Sequence, residues 1–209
     1  MSGPPSFRVM GAADLPRVME IERASFSTPW TRATFLGLLG RRDSYLAVTE
    51  VESRIVAYAA FWQVLDQAEL GDIAVDPEWR RRGLGAFMLE HVLEQAAQQG
   101  VRELYLEVRE SNRAAQRLYE RYGFRIVGRR RNYYSGPRED ARVLRVMLEA
   151  APPAQQDAAS AAKDAASAQQ DAASAQQDAA SGPLGRPPGR PSAQDAPASP
   201  SPGQPPSAG

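Results

Sequence analysis

The segment RRRGLGAFMLEH, Arg80 to His91, sets three arginines and two glycines in front of an amphipathic run. The chemistry such spacing suits is anion binding. A helix start leaves its first backbone N–H groups without partners and carries partial positive charge. Gly83 and Gly85 have no Cβ, so a phosphate could come close to the backbone there. Arg80, Arg81 or Arg82 could add charge-assisted hydrogen bonds. Two other readings fit the same residues: a basic patch for nucleic acid, or a helix start with solvated arginines. The nucleotide loop GxxxxGK followed by Ser or Thr is absent, and so is GxGxxG.

What the chain lacks narrows the chemistry further. There is no cysteine, which excludes disulfides, thiolate metal sites and a cysteine acyl carrier. One histidine, His91, is too few for a histidine metal cluster, and its place inside the helix suits packing better than catalysis. Residues 1–149 hold 22 arginines and no lysine against 20 carboxylates. That near-neutrality argues against a general nucleic-acid binder. MSGPPSFRVM has no apolar signal core, and no apolar run approaches membrane-spanning length. A cytoplasmic protein with no membrane partner is therefore expected.

The elements that must position these groups follow from periodicity. Asp14 is placed to cap a helix over 15–25 with Pro16 in its first turn, and Thr31 a second over 32–39. SYLAVTE (44–50), RIVAYAAFWQV (54–64) and ELGDIAV (69–75) read as strands, with a polar turn at Glu52 and Ser53. Leu84, Phe87, Met88, His91, Val92 and Gln95 keep helical spacing until Gly100. In RELYLEVR (102–109), Leu104, Leu106 and Val108 share one face, and Glu103, Tyr105 and Glu107 the other. Ser111 or Asn112 opens a helix that Gly123 closes, with Ala115, Leu118, Tyr119 and Tyr122 as its apolar stripe. FRIVGRRRNYY and ARVLRVMLE make two last strands around an SGPRED loop, and FRVM is a possible extra strand. The sum is a mixed α/β sheet with helices on its faces.

The domain these elements build runs from residue 7 to 149. From Ala150 there is no aromatic residue, Leu184 is the one large aliphatic, and eleven of the seventeen prolines lie there. Such a segment cannot offset its ordering entropy. It carries AQQDAAS at 154–160, 168–174 and 175–181 and AAKDAAS at 161–167. A seam of alanine alone buries too little to pair as a coiled coil. Residues 150–209 are expected to be a disordered low-complexity tail.

RRRGLG after IAVDPEW resembles the coenzyme A pyrophosphate motif, Arg/Gln-x-x-Gly-x-Gly/Ala, of the GNAT superfamily of N-acetyltransferases. LEVRESNRAAQRLYERYGF and RRRNYYSGPREDARVLRVML extend the likeness to its bacterial RimI-like branch, which acetylates the N-terminal alanine of a small-subunit ribosomal protein. The resemblance covers residues 7–149. It implies a mostly antiparallel sheet with helices on both faces and a splayed central strand pair, and acetyl-CoA as cosubstrate with no metal. By the same likeness, Ile73, Ala74 and Val75 pair through their backbone with the pantetheine arm. The amides of Arg81, Arg82, Gly83, Leu84, Gly85 and Ala86 hold the pyrophosphate, and Asn112 is a polar cofactor contact.

Glu107 matches the general base and Tyr119 the general acid of the family, although alternation alone makes Glu107 a polar strand face and Tyr119 a core residue. Pro29 and Trp30, with Tyr133 and Tyr134, match its acceptor contacts, and Glu69 is a second possible base. Gly71 and Asp72 depart from the Leu-Phe-Asn-Ile run expected of close relatives, which leaves the acceptor-pocket wall undefined. The function implied is acetyl transfer to the N-terminal alanine of a small-subunit ribosomal protein, with direct attack in a ternary complex. The alternatives are a lysine or small-amine acceptor, or a non-catalytic coenzyme A-binding module.

Overall fold

The computed structural model describes residues 3–149, and the low-complexity tail lies outside the described residues. In chain order the elements are β1 (Ser6–Val9), α1 (Leu15–Ser25), α2 (Arg32–Leu39), β2 (Ser44–Val51), β3 (Arg54–Val64), β4 (Gln67–Val75), α3 (Leu84–Gln98), β5 (Glu103–Arg109), α4 (Arg113–Arg121), β6 (Arg125–Ser135) and β7 (Arg138–Met147). The strands form one sheet in the order β1-β2-β3-β4-β5-β7-β6. Every pairing is antiparallel except that of β4 with β5.

That parallel pair shapes the molecule. β4 and β5 are bonded only over Gln67–Leu70 and Glu103–Leu106. Beyond Leu70, β4 stays on β3 as far as Val75, while β5 stays on β7 as far as Arg109. The sheet therefore forks at its centre.

Helices cover both faces. On one, Met88, Leu89 and Val92 of α3 and Tyr119 of α4 pack on Ala57, Ala59 and Phe61 of β3. On the other, Leu15, Val18 and Ile21 of α1 and Phe35 and Leu38 of α2 pack on Tyr58, Ala60 and Trp62. Alternation along β3 sends successive side chains to the two layers, so a nearly unbroken apolar run is what a strand buried on both sides requires.

β4 departs from strict alternation at one residue. Ala68 and Leu70 face the α3 side, but after Gly71 it is Ile73 and Val75 that do, with Ala74 turned to α1 and α2. The register explains the switch: Leu70 pairs with Phe61 and Asp72 with Ala60, leaving Gly71 as the extra residue of a β-bulge.

Local chemistry sets the element ends. Thr31 caps α2 by accepting from Thr34 N at 3.1 Å. Asp14 occupies the cap position of α1 but makes no side-chain cap bond. Its carboxylate accepts instead from Gly11 N at 2.8 Å and from Arg8 Nη1 at 2.7 Å, a charged partner that outcompetes a neutral N–H. Glu52 and Ser53 both have positive φ, 51° and 64°, as a tight hairpin turn between β2 and β3 demands. The last hairpin is tighter than the SGPRED loop expected from sequence. Only Gly136 and Pro137 lie between its strands, because Glu139 pairs with Tyr134 and Asp140 accepts from Asn132 N at 2.7 Å.

Candidate active site

A cavity of about 390 Å³ fills the fork, walled by the diverging halves of β4 and β5, by α4, by the α1–α2 loop and by the β6–β7 hairpin. Its position follows from the pairing: strands that part must leave backbone edges and side chains facing a gap.

Outside the cavity lining, at the start of α3, the stretch singled out from sequence forms a tight turn into the helix. Arg81 and Gly83 have φ of 63° and 82°, and Gly83 sits at the cap position of α3 without a side-chain cap bond. The first amides of the helix, from Leu84 on, have no intrahelical acceptor and point out of its end. Two of the arginines are committed to the protein. Arg80 Nε donates to Val75 O at 3.0 Å and its Nη2 to Ser25 Oγ at 3.0 Å. Arg82 donates to Glu78 O at 3.3 Å and lies 4.6 Å over the Trp79 ring. The backbone, more than these side chains, is thus what the turn leaves open. A Cβ built on Gly85 would meet only ordinary contacts, Leu118 Cδ2 at 3.7 Å and Val75 Cγ2 at 3.8 Å. Ile73, Ala74 and Val75 pair with Ala59, Tyr58 and Ala57 on one edge and border the fork on the other. Asn112 lines the cavity while its Oδ1 caps α4 by accepting from Ala115 N at 3.1 Å.

At the other end, Glu107 is the first residue of β5 beyond the last β4–β5 pair. Its carboxylate is ion-paired with Arg130 Nε at 2.9 Å, and its side chain is 9% exposed. Tyr119 lines the same cavity, its ring 5.5 Å from that of Phe124 within the core. Burial pushes the Tyr119 phenol well above its ordinary value, and Tyr134 and Asp72 push the same way. Trp30, Glu69, Tyr133 and Tyr134 also border the cavity. Pro29 lies exposed on the loop surface, away from the lining, where Ser25, Phe26 and Ser27 stand instead. His91 lies outside the site, its ring 4.7 Å from Phe7 and 4.3 Å from Phe87.

Four residues that sequence reasoning missed organise this end. Arg109, the last residue of β5, donates to Ser27 Oγ at 2.8 Å and to Gly136 O at 3.0 Å, pairs with Glu139 at 3.2 Å, and lies 4.1 Å over the Tyr134 ring. One guanidinium thereby ties the α1–α2 loop to the β6–β7 hairpin. Fully buried Glu22 accepts from Trp30 N at 2.6 Å and from the Tyr58 hydroxyl, fixing the same loop from below. Arg130 holds Glu107, and Trp62 fills the space beside Gly71. The lone glycine in a strand pattern was a legible bulge signal. Nothing local marks the other partners.

Comparison with known proteins agrees with this geometry. Residues 15–124 match the model of the acetyltransferase (GNAT) family. The [ribosomal protein bS18]-alanine N-acetyltransferase of Salmonella typhimurium is 44% identical over 126 residues, which is 60% of this chain and 84% of that protein. Its namesake from Escherichia coli is 42% identical over 133 residues, 63% of this chain and 89% of that one. The crystal structure of the ribosomal-protein-S18-alanine N-acetyltransferase from Escherichia coli superimposes with a TM-score of 0.67 at 36% identity, covering 71% of this chain and 97% of that chain. A forked sheet, an uncapped helix start after the parting strand and this match together place the chain in the GNAT family of acetyltransferases.

Proposed function

We propose that this chain transfers an acetyl group from acetyl-CoA to the N-terminal alanine of the small-subunit ribosomal protein bS18, in the cytoplasm and by direct attack in a ternary complex. The observation that carries the reading is one cavity bordered by the open edge of β4, by Glu107 and Tyr119, and by two aromatic-bearing loops. Relatives over 40% identical, of which the chain covers more than four fifths, carry that activity in their names.

The residues present suit acetyl-CoA. A glycine at φ 82° leads into a helix whose first amides have no side-chain cap, which fits a pyrophosphate. Ile73, Ala74 and Val75 offer the open backbone edge for an amide-bearing arm, with the Val75 carbonyl already engaged by Arg80. Arg81, Arg82, Gly83, Leu84, Gly85 and Ala86 supply the phosphate-facing backbone. Asn112, its Oδ1 used as a cap, has its amide nitrogen left for a cofactor contact. When bound, acetyl-CoA supplies the acetyl group activated as a thioester.

The chain's own groups then handle protons. An N-terminal ammonium must lose one proton before attack and a second as the amide forms, while the departing sulfur takes one up. Glu107, fixed at the fork by Arg130, receives a proton from the amine, through a water where the approach is long. Tyr119 donates a hydrogen bond to the sulfur as charge develops there. An α-amine, with a reference pKa of about 7.7–8, is easier to deprotonate than a lysine at about 10.4. Trp30, Tyr133 and Tyr134 enclose the acceptor and exclude water.

Glu69 borders the same cavity and is the control for the base. Turnover with an alanine-terminated peptide should fall by at least about 10²-fold in Glu107→Gln and by less than about tenfold in Glu69→Gln. The reverse ranking would transfer the role to Glu69.

A further inference from the structure

A Cβ placed on Gly71 would stand 2.3 Å from Cζ3 and 2.4 Å from Cη2 of Trp62, and 2.9 Å from Cη2 of Trp30. Ring carbons of buried residues cannot retreat as the end of a flexible chain can. Trp62 is 3% exposed and Trp30 9%, with their ring centroids 6.3 Å apart. The indole of Trp62, rooted on β3, therefore occupies the volume that a side chain from position 71 of β4 would fill. The bulge makes this fit: Gly71 is the residue without a partner in β3, so the backbone bows there and receives the ring of Trp62 from the adjacent strand.

The arrangement is kept against a cost. The Trp62 Nε1–H is buried with no hydrogen-bond acceptor among the described residues. A buried donor left unmade is unfavourable, so what the indole contributes at this place is bulk. The place itself is at the reacting end. Gly71 is the first β4 residue past the fork, as Glu107 is the first of β5, and Trp62, Trp30, Gly71 and Glu107 all border the one cavity. An amine that reaches Glu107 carries its own first side chain within a few bonds of this wall.

Resting on the proposed N-terminal acetyl transfer, we infer that Trp62, seated over Gly71, is a specificity-determining residue that limits the first acceptor side chain to a small one. Position 71 has no room for a side chain, so in this chain the wall comes from the neighbouring strand.

The experiment is steady-state kinetics of the full chain on two peptides that differ only in an N-terminal alanine or leucine. Wild type is compared with Trp62→Phe, Trp62→Ala and the double variant Trp62→Ala/Gly71→Phe. Hydrophobic pockets discriminate about 10–200-fold per methylene. The alanine-to-leucine ratio of kcat/KM should thus fall at least about tenfold in Trp62→Ala and by a smaller factor in Trp62→Phe. It should recover in the double variant, with KM for acetyl-CoA within about twofold throughout. A merely destabilised enzyme loses rate on both peptides alike and keeps the ratio. An unchanged ratio in Trp62→Phe and Trp62→Ala, with acetyl-CoA still bound, would overturn the inference while leaving the parent function standing. If wild type acetylates neither α-amine, the parent function falls and this inference with it.

Discussion

In the proposed mechanism Tyr119 is both core and chemistry. Its ring packs against Phe124 while its burial in the cavity wall raises the phenol above its ordinary value. A phenol shifted this way is a poorer proton donor in the sense of full transfer, and a durable hydrogen-bond donor. It stays neutral across the working pH range. The folded-state value lies above that of the unfolded chain, so the stability it contributes is complete below about pH 10 and is lost as pH rises through the folded value. Two outcomes follow for Tyr119→Phe. Turnover falls by on the order of 10²-fold, read as kcat with saturating peptide, and any alkaline limb in the kcat profile below about pH 10 stays where it was. Loss of that limb in the variant would mean that Tyr119 titrates during catalysis. Glu107 is different in kind, since Arg130 holds its carboxylate at the fork. Arg130→Gln should lower kcat while leaving KM for acetyl-CoA unchanged, because the arginine pairs with the proposed base, Glu107. A rise in that KM would place Arg130 elsewhere in the reaction.

Between elements, the site depends on loops held by single groups. Arg109 bonds Ser27 on one side and Gly136 on the other, with Tyr134 beneath it. Arg109→Met keeps the apolar stem and removes the fork of donors. KM for the peptide should rise by about tenfold or more, with KM for acetyl-CoA within about twofold. Equal effects on both would show a general loosening. Gly83→Ala should do the opposite. A side chain at φ 82° is strained by roughly 1–2 kcal/mol, and the turn into α3 must shift to relieve it, so KM for acetyl-CoA should rise with that for peptide unchanged. The glycine turn and the LEVR strand were legible because local pattern carries them: a glycine pair before a helical run, and alternation ending at a known motif. The bounds of α1, α2 and β3 were legible for the same reason. Arg109, Arg130 and Trp62 were not, because their roles lie in which distant residues meet them. Alternation could put Arg109 on the polar side of β5, but Ser27 is 82 residues away along the chain. The β4 bulge lay between these cases, since Gly71 announced a break in pattern without saying which side chain would use it.

For the whole molecule, the fork in the sheet is the organising fact. One parallel pairing among antiparallel ones opens a cavity between β4 and β5 that reaches α4 and the aromatic loops, and in the proposed function the acetyl group and its acceptor meet there. Among the described residues no helix is long and apolar enough to cross a membrane. We propose that residues 7–149 form the complete catalytic unit and that the Ala/Gln/Ser- and Pro-rich segment 150–209 adds nothing to it. A chain ending at Glu149 should keep its melting temperature within about 2 °C, a shift of roughly half a kcal/mol for a domain of this size, and its kcat within about twofold. A large loss of either would show that the segment docks on the domain. The central claim is acetyl transfer to a protein N-terminus. It is tested most directly by offering acetyl-CoA with two short peptides, one beginning with a free alanine and the other with a blocked N-terminus and an internal lysine. Acetylation of the first alone is the expected result; turnover of the second, or of neither while acetyl-CoA still binds, would contradict it.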